Sequence, residues 1–398
     1  MSKSLKDHRQ IGKELDLFSF HEYAPGAVFW HYKGFMIYMT FVEFLRKNLL
    51  SQGYEEISTP IMIKSALFKQ SGHWDFYKEN MFNFQIEQES YSLKPMNCPE
   101  ACLIYQTKVR GYHDLPIRLA EFGNLHRNEL SGVLGGLFRL RQFTIDDAHH
   151  FVRPDQILAE IHELLLFTVD FYKKFGFEVS FYLATRPEKA MGEAKLWREA
   201  EEDLENALMM AEVKYKIKEK DGAFYGPKID IHIKDSQDRD WQLATIQLDF
   251  QIPEKMELEF TDRGGKAKRP VMVHRGILGS IERFIGILIE HYQGAFPLWL
   301  SPVQVAVLAV SDKNNAVAQK IYEKMVKAGY RAQLNSDNKT LGNKIREATL
   351  QKVPYMIIIG DKESEKEISV RTREGKDQGR VDLSEFIESL QEKIEKFQ

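Results

Sequence analysis

Two prolines within nine residues, in Gly294-Ala-Phe-Pro-Leu-Trp-Leu-Ser-Pro302, divide this chain into stretches with different hydrophobic rhythm. Beyond Pro302 the pattern alternates. Val303–Val310 reads as a buried strand, and Asn315–Ala328 as a helix with Val317, Ile321 and Met325 on one stripe, closed by Gly329. A short strand at Tyr330–Leu334, a helix at Leu341–Lys352 and an apolar strand at Tyr355–Ile359 follow. After a charged, hairpin-like stretch, Asp382 opens a last helix with Leu383, Phe386, Leu390 and Ile394 inward. This predicts a small α/β domain on a mainly parallel sheet. Upstream, an amphipathic stretch at Gly34–Gln52 precedes strand-like pieces at Ser90–Lys94, Ile117–Phe122, Leu137–Asp146, Ile229–Ile233 and Ala244–Asp249. Helices at Pro154–Phe175 and Lys195–Met210 interrupt them, without strict alternation. That pattern predicts an α+β domain on a largely antiparallel sheet. The expected domains are residues 1–298 and 299–398.

The 398 residues suffice for two or three cores. A formal net charge of −3 gives no advertisement of nucleic-acid binding, so any RNA partner must meet local positive patches. No uncharged apolar run reaches about 18 residues, and the polar N-terminus has no signal-peptide core. Only two cysteines, Cys98 and Cys102, are present, too few for a disulfide framework. The cytoplasm is the expected compartment, with no membrane partner.

No Walker A segment and no G-x-G-x-x-G after a strand is present, so ATP would need another device. His126-Arg127-Asn128-Glu129, a glycine-containing loop and Phe138-Arg139-Leu-Arg141-Gln142-Phe143 resemble motif 2 of the class II aminoacyl-tRNA synthetases. His274-Arg-Gly-Ile-Leu-Gly279-Ser-Ile-Glu-Arg283-Phe resembles their motif 3, and Tyr54 through Met62 their dimer-forming motif 1. Met1-Ser-Lys-Ser4 matches a fragment of the class I signature without its companion, a coincidence. The resemblance implies that a carboxylate attacks the α-phosphorus of ATP, with fixed guanidinium groups and Mg2+ facing the charge that builds there. It assigns Arg127 to the α-phosphate and Arg283 to the γ-phosphate. Glu129 and Arg139 fall in the ATP site, and Phe143 is set to stack on adenine. Taken singly, an Arg-x-Glu is an ordinary surface ion pair and a strand Phe an ordinary core residue; the order and spacing of three motifs carry the reading.

Cys98, His149 and His274 are separated by 50 and 124 intervening residues, which is no local zinc signature. Each alone reads as a packed core residue. Their positions around motifs 2 and 3 resemble the zinc ligands of threonyl-tRNA synthetases. The resemblance implies one Zn2+ that selects threonine over the near-isosteric valine, which an apolar pocket separates poorly. It further assigns Asp147 to the threonine hydroxyl and His73 and Lys228 to the transfer step. Tyr225, Gln247 and Ser280 go to the substrate pocket, and Gln242 to ATP. Two departures stand out: Ile145 where many members carry Gln, and Cys98-Pro-Glu100-Ala101 in place of Cys-Pro-Gly-His.

Residues from Pro302 on resemble the anticodon-binding domain shared by the threonyl, prolyl, histidyl and glycyl enzymes. Their 17 Lys/Arg against 15 Asp/Glu suit recognition of splayed bases by hydrogen bonds and stacking. Asn338, Lys352, Glu363 and Arg371 are the implied anticodon contacts. The implied partners are ATP, threonine, tRNA(Thr), a second copy through motif 1, and a separate editing protein. The last enters as an option only: Asp7–Asp16 already resembles the opening of the catalytic domain, so proofreading within this chain is not expected. A prolyl enzyme would not need the Cys/His triad, a non-catalytic relative tends to lose the motif arginines, and a zinc hydrolase lacks its H-E-x-x-H.

Overall fold

The computed structural model describes residues 5–397, so Met1-Ser-Lys-Ser4 lies outside the described residues. By internal packing two compact units form. One comprises Phe20–Val28 and Phe44–Gly286; the other gathers the residues up to Ser19, Phe29–Glu43 and those from Ile287 onward. The longer helices are α1 (His8–Glu14), α2 (Tyr32–Ser51), α3 (Cys98–Gln106), α4 (Ile157–Lys173), α5 (Ala194–Met210), α6 (Ile281–His291), α7 (Asn315–Lys327), α8 (Leu341–Leu350) and α9 (Leu383–Glu395). Among the described residues no helix is long and apolar enough to cross a membrane.

The first unit is built on an eight-stranded sheet. Its strands are β1 (Glu55–Glu56), β2 (Ile117–His126), β3 (Gln142–Val152), β4 (Val179–Ala184), β5 (Tyr215–Lys218), β6 (Lys228–Lys234), β7 (Asp240–Asp249) and β8 (Val271–Gly276). In space they run β5-β4-β6-β7-β8-β3-β2-β1. All pairings are antiparallel except the outermost two, β5 with β4 and β1 with β2. The period of two sorts the side chains. On β6, Ile229, Ile231 and Ile233 are buried on the face that α4 and α5 cover, using Leu165 and Phe171 of α4 and Trp197 and Leu204 of α5. Each such buried side chain contributes about 1.5–3 kcal/mol. Lys228, Asp230 and His232 take the other face, which carries the polar chemistry.

Sequence pattern placed one strand too early. Leu137–Asp146 reads as a strand, yet β3 begins at Gln142 and runs to Val152. Leu137 is fully buried in a turn, where it fills the core without pairing in the sheet. The Arg141 and Gln142 N–H groups donate instead to Gly26 O, at 2.8 and 3.1 Å. Burial of a loop side chain looks the same in sequence as burial of a strand side chain.

In the second unit five strands, β9 (Val305–Ala309), β10 (Ala332–Asn335), β11 (Tyr355–Ile359), β12 (Glu367–Thr372) and β13 (Asp377–Asp382), lie in the order β10-β9-β11-β12-β13. The first three are parallel and the charged stretch is an antiparallel hairpin added at one edge. Central β9 is buried on both faces. Val305, Val307 and Ala309 join the core with Ile321 of α7 and Phe386 of α9, while Ala306 and Leu308 meet Ala348 of α8. Asp382 caps α9 by accepting the Ser384 N–H at 2.8 Å. The proline-bearing segment is itself packed: α6 ends where Gly294 takes φ +75°, and Leu298 enters the β9 core. At the start of α1, His8 Nδ1 sits 2.7 Å from Glu290 Oε1, both buried.

Glu282, in the first turn of α6, is buried and accepts the Thr144 N–H of β3 at 2.9 and 3.0 Å. Burial pushes its carboxyl up to about 7, against the pull of that N–H. The folded chain therefore holds this proton more tightly than the unfolded chain. The stability involved is complete below pH 4.5 and is lost as pH rises through about 7. Chemical denaturation from pH 5 to 8 should show stability falling by up to about 1.4 kcal/mol per pH unit from this group, and Glu282→Gln should flatten that slope.

Candidate active site

The site grows from the central strands of the large sheet. The register of β8 with β3 sets His274 opposite His149, and that of β8 with β7 sets His274 opposite Gln247. One strand further out, Lys228 stands opposite Gln247. Cys98 enters from outside the sheet as the first residue of α3, followed by Pro99 where a missing N–H costs nothing. One ligand atom each from Cys98, His149 and His274 lie within 4.8 Å of one another, all three residues buried.

This cluster has the features of a metal centre. His274 Nε2 is 2.9 Å from Asp249 Oδ2, a buried carboxylate that orients the ring and leaves Nδ1 for the centre. His149 Nε2 is buried without a hydrogen-bond partner. Burial, reinforced by the charge of Asp147, raises the Cys98 thiol well above its ordinary value, and burial lowers His149 well below its own. A thiol and two imidazoles that converge without satisfying one another are the donor set of a tetrahedral zinc site with an open position. Their residues fit such an ion.

Beside them lies a chamber of 260 Å³ lined by Cys98, Arg127, Ile145, Asp147, Tyr225, Gln247 and His274, among others. Asn97 Nδ2 donates to Asp147 Oδ2 at 3.1 Å. Burial raises the Asp147 carboxyl to about 6, with Asn97 opposing. The Tyr225 ring stacks on His274 with centroids 4.8 Å apart, and its hydroxyl donates to Gln247 Oε1. Ile145 stands two residues from Asp147 on the same strand face, part of an apolar wall with Met96, Leu125 and Leu243.

A second cavity of 140 Å³ holds Arg127, Glu129, Arg139, Phe143, Ser280 and Arg283. The two cavities share Arg127, Ile145 and Gly279 as walls. Arg139 Nε donates to Glu129 Oε2 at 2.9 Å, bracing the loop after β2. Arg283 Nε donates to Phe138 O at 2.9 Å. Burial and the neighbouring Arg127 and Arg139 charges lower its pKa, against the pull of Glu129. The Arg127 guanidinium lies 5.0 Å above the Phe143 ring, so that ring already carries one flat partner.

The remaining expected residues fall at different distances from these cavities. Ser280 lines the arginine-bearing cavity and not the chamber of Asp147. His73 is fully buried beside Tyr225 and Phe224, its Nδ1 2.9 Å from Ser71 Oγ and its Nε2 unpartnered. Burial lowers its pKa to about 3, with His274 and Lys255 adding, so the ring is neutral. Lys228 Nζ is held by Asp230 Oδ2 at 2.8 Å. Gln242 sits further along β7, opposite His232, and borders neither cavity. In the second unit, Asn338 and Lys352 flank the two ends of α8. Glu363 accepts from Gly360 N and Ser369 Oγ, each at 2.8 Å. Arg371, on β12, keeps a buried Nε without a partner.

Several supporting residues had no signal in the sequence. Asp249, Asn97 and Asp230 each reach their partners only through strand register or a helix start. Arg275 is another. It is fully buried, donates to Asp146 Oδ1 at 2.6 Å and lies 5.2 Å over the Tyr54 ring, tying motif 1 to the central strands. Glu100 is buried with both oxygens unpartnered, and burial pushes it up to about 8.

Residues 82–292 match the tRNA synthetase class II core domain (G, H, P, S and T), and residues 304–393 match the anticodon binding domain. A threonine–tRNA ligase of Caldanaerobacter subterraneus subsp. tengcongensis is 52% identical over 390 residues, covering 98% of this chain and 61% of that protein. The chain thus spans about three fifths of the length of the curated relatives it matches. A crystal structure of the RNA binding domain of threonyl-tRNA synthetase from Cryptosporidium parvum Iowa II superposes with a TM-score of 0.95 at 39% identity, covering 97% of this chain and 98% of that one. Prolyl-tRNA synthetase of Giardia lamblia, at 16% identity and a TM-score of 0.74, shares the fold alone.

The buried Asp146–Arg275 pair yields a stability test. Asp146→Asn leaves a buried guanidinium unpaired and should cost about 3–5 kcal/mol in urea denaturation. Pairing it with Arg275→Met removes both charges and should recover most of that loss.

Proposed function

Because the chain belongs to the threonyl-tRNA synthetase family of class II aminoacyl-tRNA synthetases, we propose that it activates threonine with ATP and transfers the threonyl group to the 3′ end of tRNA(Thr). The observation that carries this reading is the continuity of the two cavities. A donor-rich chamber sized for a small amino acid shares the wall of Arg127 with a guanidinium-lined cleft suited to a triphosphate.

In this reading the threonine carboxylate lies at the shared wall and attacks the α-phosphorus, and pyrophosphate leaves. Arg127 faces the α-phosphate and Arg283 the γ-phosphate, fixed cations that stabilise the charge developing on the phosphate oxygens. Glu129 and Arg139 hold the loop over the nucleotide, Phe143 stacks on adenine, Gln242 serves the ATP side, and Mg2+ accompanies the triphosphate. Cys98, His149 and His274 would hold a zinc ion. When bound, that ion offers coordination to both the amine and the side-chain hydroxyl of threonine, which valine cannot match. Asp147, largely ionised at neutral pH, accepts the hydroxyl hydrogen, while Tyr225, Gln247 and Ser280 position the rest. In the transfer step the neutral His73 presents Nε2 as a proton acceptor near the terminal ribose, and Lys228 neutralises nearby phosphate charge.

Residues 1–298 would thus act as the catalytic domain and 299–398 as the anticodon reader through Asn338, Lys352, Glu363 and Arg371. The cytoplasm is the proposed compartment. A homodimer through the motif 1 region is part of the same reading. It is supported by the exposed stripe Tyr32, Phe35 and Met39 on α2, an apolar surface at helical spacing.

Amino-acid-dependent ATP–pyrophosphate exchange tests the reading. The expected signal is strong with threonine, weak with serine and absent with valine, and chelation of zinc should abolish it. No exchange in a folded, zinc-loaded sample would sink it. Arg283→Ala should lower the exchange rate by about 10²–10³ without unfolding the chain. Asp249→Asn should weaken zinc retention by about 10–100-fold, read by metal analysis after competition with a chelator.

A further inference from the structure

Strand β5 closes the sheet on the side away from motif 1; it carries Lys216 and Lys218, with Lys214 just before it and Lys220 just after it. The alternation sends Lys216 and Lys218 to one face. Tyr215 and Ile217 pair with Phe181 and Leu183 of β4, both buried on the helix-covered side, so Lys216 and Lys218 face the other way. That other face is the one that carries the active site. A single cross-strand row runs His274, Gln247, Lys228, Ala184, Lys218, each residue the register partner of the next. At about 4.8 Å per strand, four steps span roughly 19 Å from the zinc cluster to the sheet edge. Side-chain contacts agree with the register. Lys218 Nζ is 2.8 Å from His232 Nε2 and 4.5 Å over the Tyr182 ring.

The outer part of this face is polar, with Ser180 and Gln242 exposed and Tyr182 half-buried, while Ala184 and Asp230 nearer the chamber are fully buried. Its acids are engaged: Asp230 with Lys228 and, at 3.8 Å, with Lys218, Asp240 with His232, Glu188 with Lys220. Lys214 and Lys216 are exposed and make no ion pair among the described residues. Lysines two apart on a strand repeat about every 6.6 Å, a step of the same order as successive phosphates of an extended nucleic-acid strand. A flat aromatic ring set among them offers a stacking surface for a base. The chain as a whole is acidic, so this is a local concentration of positive charge.

We propose that Lys214, Lys216 and Lys218, with Tyr182, form a track for the phosphates of the acceptor strand of tRNA, leading its 3′ end along the sheet face to the chamber. The proposal rests on the tRNA-charging reading and adds the route by which that substrate enters. Lysines on an edge strand also discourage strand-to-strand aggregation. That role alone is indifferent to the sign of the charge and to RNA.

The test uses the whole chain with a tRNA(Thr) transcript. It compares the parent, Lys214→Gln/Lys216→Gln, Lys214→Glu/Lys216→Glu and Lys214→Arg/Lys216→Arg, each checked by thermal melting. Threonine-dependent pyrophosphate exchange should be unchanged in all four. The Gln pair should weaken tRNA binding by about tenfold and make the log Kd against log salt slope shallower by about 1.4, two single-strand phosphate contacts. The Glu pair should weaken it further and the Arg pair should match the parent. Unchanged tRNA Kd and salt slope in the Gln and Glu pairs, with the parent charging normally, overturn the track alone. A parent that neither exchanges with threonine nor binds tRNA overturns the function reading instead.

Discussion

The antiparallel register between β3 and β8 is the constraint on which the site depends. It sets His149 opposite His274 and Asp147 opposite Gly276, so two imidazoles and a carboxylate face one chamber without any loop having to hold them. The residue opposite Asp147 has no side chain, which leaves the space that the chamber occupies. Because strand side chains alternate strictly, a one-residue slip of β3 against β8 would turn His149 and Asp147 to the face opposite His274. The backbone ladder therefore does for this site what a local sequence motif does for a zinc finger. It brings side chains that lie far apart in the chain to within 4.8 Å of one another.

Such a register is expensive to get wrong because the strands are backed by buried charge. Arg275 and Asp146 lie on the two strands that carry the histidines, one residue after His274 and one before Asp147. Their side chains meet on the face away from the chamber, toward Tyr54. Tyr54 in turn contacts His150 Nε2, whose Nδ1 meets Glu160, which pairs with Arg118. Each group in this chain would be costly unpaired, and all of them find partners only in one alignment of β2, β3 and β8. Specificity of alignment, more than net stability, is what a buried network of this kind supplies. It keeps the donors of the site at fixed positions, so little reorganisation is left for the bound state.

The same logic explains the division of labour across the sheet. Helices α4 and α5 cover one face with aliphatic and aromatic side chains, and the opposite face is left to polar and charged groups. Near the centre that face is enclosed and carries His149, Asp147 and His274; at its β5 edge it carries lysines. Enclosure strengthens each electrostatic interaction, while exposure keeps lysine charges available to a large polyanion. One sheet thus passes from a chemical site to a docking surface without a change of architecture.

Much of this was legible in the chain. The alternation after Pro302 located α7, β11 and α9 to within a residue or two, because amphipathic period and caps such as Asp382 are local signals. The motif residues Arg127, Phe143 and Arg283 stand in one cavity as their order implied. Local signals failed where burial and pairing came apart. Leu137 looked like a strand residue and is a core plug in a turn. Residues such as Asp249, Asn97 and Asp230 are ordinary in sequence, and only their partners across the sheet make them part of the site.

The sequence by itself determined which segments would be strands and helices, which faces would be apolar, and which side chains could bind a metal, a phosphate or a base. Those properties follow from neighbouring residues and their chemistry. Tertiary structure alone decided which of those side chains meet: that Cys98 reaches two histidines on separate strands, that Asp249 orients one of them, and that the lysines of β5 share a face with the chamber. These are facts of strand order and register, set by the burial of the whole sheet against its helices, and no window of sequence contains them.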